Sequence, residues 1–303
     1  MSDDTVSAGG VDESVEDLDG ESEKDLEDEP DGGLDGESEG PFDGEPDEHA
    51  KLPRDHPRYR DLVTRHRIEA GVRNGITHLQ GMHAEGRGAA FDYLIGERTI
   101  ESADEAERVA AAYLLLADRP VISVNGNVAA LVPGEIVELA AVVDADLEVN
   151  LFNRTEERME AIVDHLREHG ASEVKGISGD ARIPGLSHER GTVDRDGIYA
   201  ADVVLVPLED GDRAEALEAM GKTEIVIDLN PLSRSPQAAT VPIIDNIVRA
   251  VPNITEHARS LQDLPRAELE AIVAAFDADR ALREAERTIR TGIGTDGTAA
   301  DGE

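Results

Sequence analysis

The sequence contains no cysteine among its 303 residues. Without thiols the chain forms no disulfide, holds no metal through thiolates and has no cysteine nucleophile. No apolar run reaches the roughly 18 residues that a membrane-spanning helix needs. The first residues, Met1 to Asp4, have neither the basic beginning nor the apolar stretch of a secretory signal. Together these absences predict a cytoplasmic protein that does not bind membranes.

Positive charge is also scarce, because 29 Lys and Arg face 67 Asp and Glu and the formal net charge is -38. Charge of this sign is repelled by nucleic-acid phosphates and by anionic membranes, so neither is expected as a partner. Residues 1–50 alone hold 11 Asp, 10 Glu and one Lys, yet the rest of the chain is acidic too. Acidity throughout a folded body indicates a halophilic protein that stays soluble in concentrated salt.

The composition divides the chain into three parts. Residues 1–52 recycle Asp, Glu, Gly, Ser and Pro with too few apolar residues to form a core, so we expect a disordered acidic tail. That tail is either a solubilising extension or a docking segment for a partner. Residues 53–290 form the expected folded domain, and residues 291–303 are expected to be a flexible C-terminus.

Within the folded part, short Val/Ile-rich segments alternate with helical patterns. Ser102 to Glu105 fit a capping box at the start of one helix. This alternation predicts an α/β fold with a Rossmann-like parallel sheet flanked by helices on both faces. Strands are expected at 121–124, 147–151, 173–177, 202–206, 224–228 and 241–244, and helices at 55–73, 102–116, 134–142, 155–168 and 213–220.

The end of the chain reads as helical. Residues 246–250 precede an expected break at Pro252, and helices are predicted at 255–261 and 266–289. The last helix carries an apolar stripe that packs either on its own sheet or on a second subunit.

Polar runs follow several of the predicted strands. In open parallel sheets, ligands bind beyond the carboxyl ends of strands. Asn125 to Asn127 follow one strand and are either ligand contacts or a turn, and the run that contains Asp210 and Asp212 is either a site or a solvated acidic turn. Asp228 to Ser235 combine a carboxylate, an amide, hydroxyls and an arginine, which suits a hydrated Mg²⁺ ion and phosphate oxygens.

Two familiar glycine patterns are missing, the Walker-type phosphate loop and the Gly-x-Gly-x-x-Gly dinucleotide fingerprint. Gly86-Arg87-Gly88 is a different pattern. We read it as a loop whose glycines let the backbone approach a ligand while Arg87 contacts phosphate, with a plain flexible loop as the alternative. Arg65, judged by spacing alone, is a surface arginine.

Several of these runs, in this order, resemble archaeal phosphopantothenate synthetase, the 4-phosphopantoate–β-alanine ligase family. The resemblance extends from about Pro53 to the last helices. The runs that carry it are His56-Pro57-Arg58-Tyr59, Gly86-Arg87-Gly88 with Phe91-Asp92-Tyr93-Leu94, Ser123-Val124-Asn125-Gly126-Asn127, Pro207-Leu208-Glu209-Asp210-Gly211-Asp212-Arg213 and Asp228-Leu229-Asn230-Pro231-Leu232-Ser233-Arg234.

The resemblance implies a homodimer that uses ATP and Mg²⁺ to join 4-phosphopantoate to β-alanine through an acyl adenylate, on the route to coenzyme A. It also implies which residues contact ATP: Arg65, Arg87, Asp228, Leu229, Asn230, Arg234, Ser235, Asn246 and Ile247. Further candidate site residues are Asn125, Asn127, Asp210 and Asp212, and the candidate Mg²⁺ ligands are Asp228 and Asp210.

The chain departs from the family pattern at two positions. Glu85 replaces a histidine and Ala89 replaces a glutamate, so any role of those two family residues in proton transfer or substrate binding must be filled differently in this chain. Two rival functions remain, a nicotinamide-dependent oxidoreductase and a nucleotide-binding module without turnover. The missing glycine fingerprint counts against the oxidoreductase.

Overall fold

A computed structural model describes residues 53, 55–56, 59–208 and 211–292. The expected tail, residues 1–52, lies outside the described residues, and so does Asp210. Of the expected C-terminal segment, only residues 291 and 292 are described. None of the described helices is long and apolar enough to cross a membrane.

The centre of the fold is a five-stranded sheet in which every pairing is parallel. Its order is β2-β1-β5-β6-β7. The strands are β1 (Pro120–Val124), β2 (Asp146–Val149), β5 (Val203–Pro207), β6 (Thr223–Asp228) and β7 (Val241–Ile244), while β3 (Ala181–Arg182) and β4 (Thr192–Val193) form a separate antiparallel pair.

Helices precede, connect and follow the strands. The first three lie before the sheet in sequence, and the last three follow it. Their bounds are α1 (Tyr59–Arg73), α2 (Leu79–Ile95), α3 (Glu101–Leu116), α4 (Gly126–Leu131), α5 (Pro133–Val143), α6 (Glu156–Glu168), α7 (Gly211–Ala219), α8 (Arg234–Ala238), α9 (Ile247–Leu261), α10 (Arg266–Ala274) and α11 (Ala278–Thr291).

Successive residues of the central strands pack into two different cores. Ile122 and Leu205 belong to the larger core on one face, while Val121, Val204 and Val206 belong to a second core on the other. This alternation follows from the two-residue period of a strand, and both faces are apolar because both are covered. The predicted α/β fold with a flanked parallel sheet is therefore confirmed.

The strand order places β1 between β2 and β5, so the chain leaves β1 towards one side of the sheet and returns on the other. A crevice forms at the carboxyl ends of the strands where the direction of winding changes. Leu208, directly after β5, has a positive φ of 59°, a backbone conformation that is rare for a residue with a branched side chain and is concentrated at functional sites.

The strand expected at 173–177 is wrong. Lys175 makes a single bridge with Glu148 beside β2, and the chain then turns away at Gly176, where φ is 108°. A Cβ atom at Gly176 would overlap the carbonyl of Val149. The segment leads instead to the β3–β4 hairpin, which the sequence pattern does not reveal because each strand has only two residues.

Three helix boundaries also differ from expectation. Helix α3 begins at Glu101 after Ile100, so Ser102 lies inside the first turn and caps nothing. Pro252 lies inside α9 instead of breaking it, because the buried apolar face of that helix outweighs the lost hydrogen bond. The helix expected at 266–289 is two helices, since Asp277 caps α11 by accepting from the Arg280 N–H at 2.9 Å.

The loop expected at Gly86-Arg87-Gly88 is wrong as well, since all three residues lie within α2. Glycine is a poor helix former, so the pattern favoured a loop. Packing decides otherwise. A Cβ atom on Gly81 would overlap Asn127 Oδ1 and Thr77 Oγ1, and one on Gly88 would lie 3.2 Å from Asn246 Nδ2. The glycines allow α2 to approach the sheet edge closely.

Candidate functional site

The first polar run lies where β1 ends, and its side chains hold the edge together. Asn125 caps α4, because its Oδ1 accepts from the N–H groups of Asn127 and Val128 at 3.0 and 3.1 Å. Its Nδ2 donates to the Pro207 carbonyl at the end of β5 at 3.0 Å. Asn125 therefore joins the two strands between which the winding direction changes, as a turn and capping residue.

Asn127 connects α4 to the segments before the sheet. Its Oδ1 accepts from Thr77 Oγ1 at 2.5 Å, and its Nδ2 donates to the Gly81 carbonyl at 3.1 Å. The side chain is buried. These bonds fix the beginning of α2 against the sheet edge, so Asn127 positions the site while its amide group is already engaged.

The β6–α8 loop, residues 228–233, is folded by its own polar groups. Asp228 Oδ1 accepts from the N–H groups of Leu229 and Asn230 at 2.6 and 3.1 Å, and Oδ2 accepts from Ser233 Oγ at 2.7 Å. Asn230 Oδ1 accepts from the Leu232 N–H at 3.0 Å. The predicted polar run thus forms a compact turn beside the carboxyl end of β6.

The residues that follow this loop differ in exposure. Ser235 is buried, whereas Arg234 is exposed and its Nε lies 3.0 Å from Glu215 Oε1. Gly211 at the start of α7 packs against Arg234, since a Cβ atom there would lie 2.6 Å from the arginine Cβ. Arg234 is therefore held against α7, with its guanidinium close to solvent.

Asn246 and Ile247 form the beginning of α9 directly after β7. Asn246 Oδ1 accepts from the Val248 N–H at 3.3 Å, and Nδ2 donates to Asp92 Oδ2 of α2 at 3.0 Å. Ile247 is buried in the core, so only its backbone N–H remains to face a ligand. The free N–H groups of a helix N-terminus favour negative charge.

Behind Asn246 a partly buried ion-pair network joins α2 to α9. Arg249 Nη2 lies 2.7 Å from Asp92 Oδ1 and 2.5 Å from Asp245 Oδ1. The Asp245 carboxylate also accepts from the Asn246 N–H at 2.7 Å and from Thr99 Oγ1 at 2.6 Å. Asp92 and Arg249 thereby set the orientation of the Asn246 amide.

The network continues inward to a carboxyl group in the core. Glu107 on α3 is fully buried, and its Oε2 accepts from Asn253 Nδ2 at 2.9 Å. Burial, and then the charge of Asp245, raise the pKa of Glu107 to about 9. The pKa of Asp245 is raised by burial too, although Arg249 opposes the rise. Glu107 is therefore a neutral carboxylic acid at neutral pH.

Arg87 lies on the exposed side of α2, one residue before the buried Gly88. Its guanidinium makes no hydrogen bond or ion pair with any other residue that the structure describes. Gly88 lies close to both the beginning of α9 and the β6–α8 loop, since a Cβ atom placed on it would lie 3.2 Å from Asn246 Nδ2 and 3.9 Å from Leu229 Cδ1. The predicted phosphate contact thus sits beside the site, although on a helix.

A cavity of about 460 Å³ opens between α1, α2 and α9, next to the sheet edge. Asn246 lines it, so the cavity and the predicted nucleotide contacts share a wall. Its charged lining consists of three arginines and four carboxylates, Arg60, Arg67, Arg249, Asp61, Asp92, Glu97 and Glu135, and its apolar lining includes Val63, Val248 and Pro252.

Two other predicted residues have local partners. Arg65 on α1 is exposed, and its Nε lies 3.0 Å from Asp61 Oδ1 one helical turn earlier. Asp212 Oδ2 lies 2.9 Å from His188 Nε2. Partial burial acts to raise the pKa of Asp212, but the hydrogen bonds from His188 and the backbone lower it overall. Asp210 lies outside the described residues, so its distance from Asp228 is not defined.

The Asp228 carboxylate retains limited capacity for a metal ion. A carboxylate has about four lone-pair sites, and three are used by Leu229, Asn230 and Ser233. One site suffices for Mg²⁺, which keeps several waters and takes one or two carboxylates together with phosphate oxygens. The residues present therefore fit a Mg²⁺ ion that is held mainly by water and phosphate.

Sequence reasoning missed the partly buried network of Asp92, Asp245, Arg249 and Glu107. Asp92 lies in a run that carries the family resemblance, and Asp245 and Arg249 stand four apart at a helix start, a spacing typical of ion pairs. Glu107 is signalled by a single carboxylate within an otherwise apolar face of α3, next to Ala106 and Val109. Its pairing with another helix has no signal in the sequence.

Comparison with known proteins identifies the family of this chain. The family model for phosphopantothenate/pantothenate synthetase matches residues 102–292. A protein named 4-phosphopantoate–β-alanine ligase from Thermococcus onnurineus is 56% identical over 241 residues, which is 79% of this chain and 92% of the relative. Proteins of the same name are 55% identical in Thermococcus kodakarensis, over 79% and 92%, and 52% identical in Methanosarcina mazei, over 80% and 96%. The chain belongs to the phosphopantothenate/pantothenate synthetase family.

Proposed function

We propose that this chain is an ATP-dependent ligase that condenses 4-phosphopantoate with β-alanine to give 4′-phosphopantothenate, AMP and diphosphate. The relatives' names and the extent of the match support this reaction. The structural observation that carries it is the cavity beside Asn246, because a carboxylate held there lies next to the edge where parallel sheets bind nucleotides.

The reaction needs two steps at this edge. A carboxylate oxygen of 4-phosphopantoate attacks the α-phosphorus of ATP and releases diphosphate, and the β-alanine amine then attacks the acyl carbon and releases AMP. The acyl adenylate is already reactive, so the protein contributes mainly by positioning and by neutralising phosphate charge. The fixed backbone dipole at the beginning of α9 suits this task.

We assign the nucleotide contacts to residues on both sides of the crevice. Arg87 from α2, Arg234 from α8 and Arg65 from α1 are the candidates for the phosphates, since guanidinium groups bind phosphate oxygens in pairs. Asp228, Leu229, Asn230 and Ser235 belong to the β6–α8 side, and Asn246 and Ile247 offer the beginning of α9. Mg²⁺, held by Asp228 with Asp210 as a second candidate, supplies further charge neutralisation.

We further propose that the working unit is a homodimer that packs along α2. Leu79, Met82, Tyr93 and Leu94 are all exposed, Tyr93 by 71%, and the helical period places them on one face. An apolar stripe of this kind marks an interaction surface. Light scattering should give twice the chain mass for the wild type and a single mass for Leu79→Glu. A wild-type monomer would contradict the proposal.

The acidity is assigned to salt adaptation. The excess acidic side chains, which give a net charge of -38, repel one another in dilute buffer, and salt screens this repulsion at high ionic strength. Thermal stability should therefore rise steeply as KCl increases towards molar concentrations. A melting temperature that is independent of salt would contradict halophilic adaptation.

The activity itself is tested by incubating the purified chain with ATP, Mg²⁺, 4-phosphopantoate and β-alanine. AMP and 4′-phosphopantothenate should appear in equal amounts, and AMP should not accumulate when either acid is omitted. ADP instead of AMP would refute the adenylate route. Binding of ATP without any product would favour a nucleotide-binding module, and reduction of a nicotinamide cofactor would favour an oxidoreductase.

A further inference from the structure

We propose that the cavity between α1, α2 and α9 binds the phosphorylated acid substrate, and that Arg60 anchors its phosphate group. This inference rests on the proposed function, because that function supplies an acid with a phosphate at one end and a carboxylate at the other.

The first argument is position and size. The cavity measures about 460 Å³, within the roughly 300–1,000 Å³ typical of small-molecule sites. Asn246 belongs both to its lining and to the predicted nucleotide contacts. An acid in the cavity with its carboxylate beside Asn246 has its other end towards α1, where Arg60 also lines the cavity.

The second argument is the pairing of charges in the lining. Arg249 is neutralised by Asp92 and Asp245. Arg67 donates to the Leu131 carbonyl at 2.6 Å and lies 3.7 Å from Glu135. Both of these guanidinium groups are thus occupied by the protein itself.

Arg60 differs from the other two. It lies in the first turn of α1, and its guanidinium makes no ion pair or hydrogen bond within the part of the chain that the structure describes. The chain has more than twice as many acidic as basic residues, yet none of the described carboxylates pairs with Arg60. A guanidinium fork that has no partner among the described residues and lies beside a cavity suits a phosphate, which it can bind through two parallel hydrogen bonds.

Three of the four lining carboxylates, Asp61, Asp92 and Glu135, lie beside arginines, so their charge is compensated within the protein. Val63, Val248 and Pro252 offer apolar surface to a short branched carbon chain. Glu97 also lines the cavity and has no basic partner among the described residues. Its negative charge attracts the ammonium group of β-alanine. Glu97 is therefore compatible with a cavity that receives both substrates.

The test compares Arg60→Gln with Arg73→Gln, a matched control on the same helix whose guanidinium lies 3.6 Å from Glu69 and does not line the cavity. Loss of a charge-assisted contact should raise the KM and the calorimetric Kd for 4-phosphopantoate by about 10- to 150-fold. The KM for ATP and the melting temperature should stay unchanged, and Arg73→Gln should behave as the wild type.

Pantoate without its phosphate supplies the second probe. If Arg60 reads the phosphate, wild type and Arg60→Gln bind pantoate equally weakly, and Arg60→Lys recovers only part of the affinity for 4-phosphopantoate. Equal loss for both ligands, or a raised KM for ATP or β-alanine alone, would overturn the assignment. Absence of AMP formation in the wild type would instead refute the proposed function, while calorimetry with 4-phosphopantoate would still test the cavity.

Discussion

The β6–α8 loop and helix α2 meet at Asn246 but reach it by opposite means. The loop is held by polar groups, because Asp228 accepts three hydrogen bonds from its own neighbours. Helix α2 can lie close to Asn127 and Asn246 because Gly81 and Gly88 have no side chain. Polar composition in a sequence therefore identifies the first kind of segment, whereas the second kind resembles a flexible loop until its packing is known.

The largest effect is expected from Asp228→Asn. The amide keeps an oxygen for the Leu229 and Asn230 N–H groups, so the loop should remain folded, but the negative charge is lost. If Asp228 holds Mg²⁺, turnover should fall by about 10- to 100-fold, and excess Mg²⁺ should restore part of it. The measurement is AMP formation against Mg²⁺ concentration, with Ser233→Ala as a control that weakens the loop but keeps the charge. Full activity in Asp228→Asn would reduce the residue to a loop-folding role.

An effect of about the same size concerns Arg87 on the opposite side. Arg87→Ala should leave the melting temperature unchanged, because the exposed guanidinium packs against nothing described, yet remove a phosphate contact of about 1.5–3 kcal/mol. Turnover falls if the contact strengthens in the transition state, and only affinity falls if it is uniform. Arg87→Lys should rescue incompletely, since an ammonium lacks the planar fork. Unchanged kinetics in the folded variant would remove α2 from the active site.

A smaller effect on stability distinguishes the glycines of α2. Gly81→Ala overlaps Asn127 and Thr77 and should cost about 1–3 kcal/mol. Gly86→Ala meets nothing within 4 Å in the single chain, so in the Leu79→Glu background, which is expected to be monomeric, it should stabilise the helix by about 0.5–1 kcal/mol. Both glycine variants are compared in that background. Melting temperatures of the two variants should move in opposite directions. A loss at Gly86 similar to that at Gly81 would indicate that the outer face of α2 is also closely packed.

A pH-dependent effect on stability comes from the buried acid behind Asn246. Burial raises the pKa of Glu107 from 4.5 to about 9, so the folded state keeps a proton that the unfolded state releases. The free energy of unfolding therefore falls as pH rises from 4.5 to 9. Glu107→Gln removes this dependence. Its melting temperature should nearly match the wild type at pH 5 and exceed it progressively towards pH 9. A difference that is independent of pH would contradict the raised pKa.

The sequence predicts much of the fold because the strands are short, Val/Ile-rich and evenly spaced. Five of the six expected strands belong to the sheet, and the polar run at Asp228 lies at its carboxyl edge. The exceptions depend on contacts that are distant in sequence. Gly86-Arg87-Gly88 is helical because α2 packs on Asn127 and Asn246, and Asp92 becomes part of the site through Arg249, 157 residues later. The local sequence pattern does not predict such pairs.

The central claim is that this crevice activates a carboxylate with the α-phosphate of ATP, and isotope transfer tests it most directly. 4-Phosphopantoate labelled with ¹⁸O in its carboxylate is incubated with the wild-type chain, ATP, Mg²⁺ and β-alanine, and the AMP is analysed by mass spectrometry. An acyl adenylate leaves one carboxylate oxygen on AMP when the amine displaces it, so the account predicts AMP that carries one ¹⁸O atom. Product formation with unlabelled AMP would contradict the account.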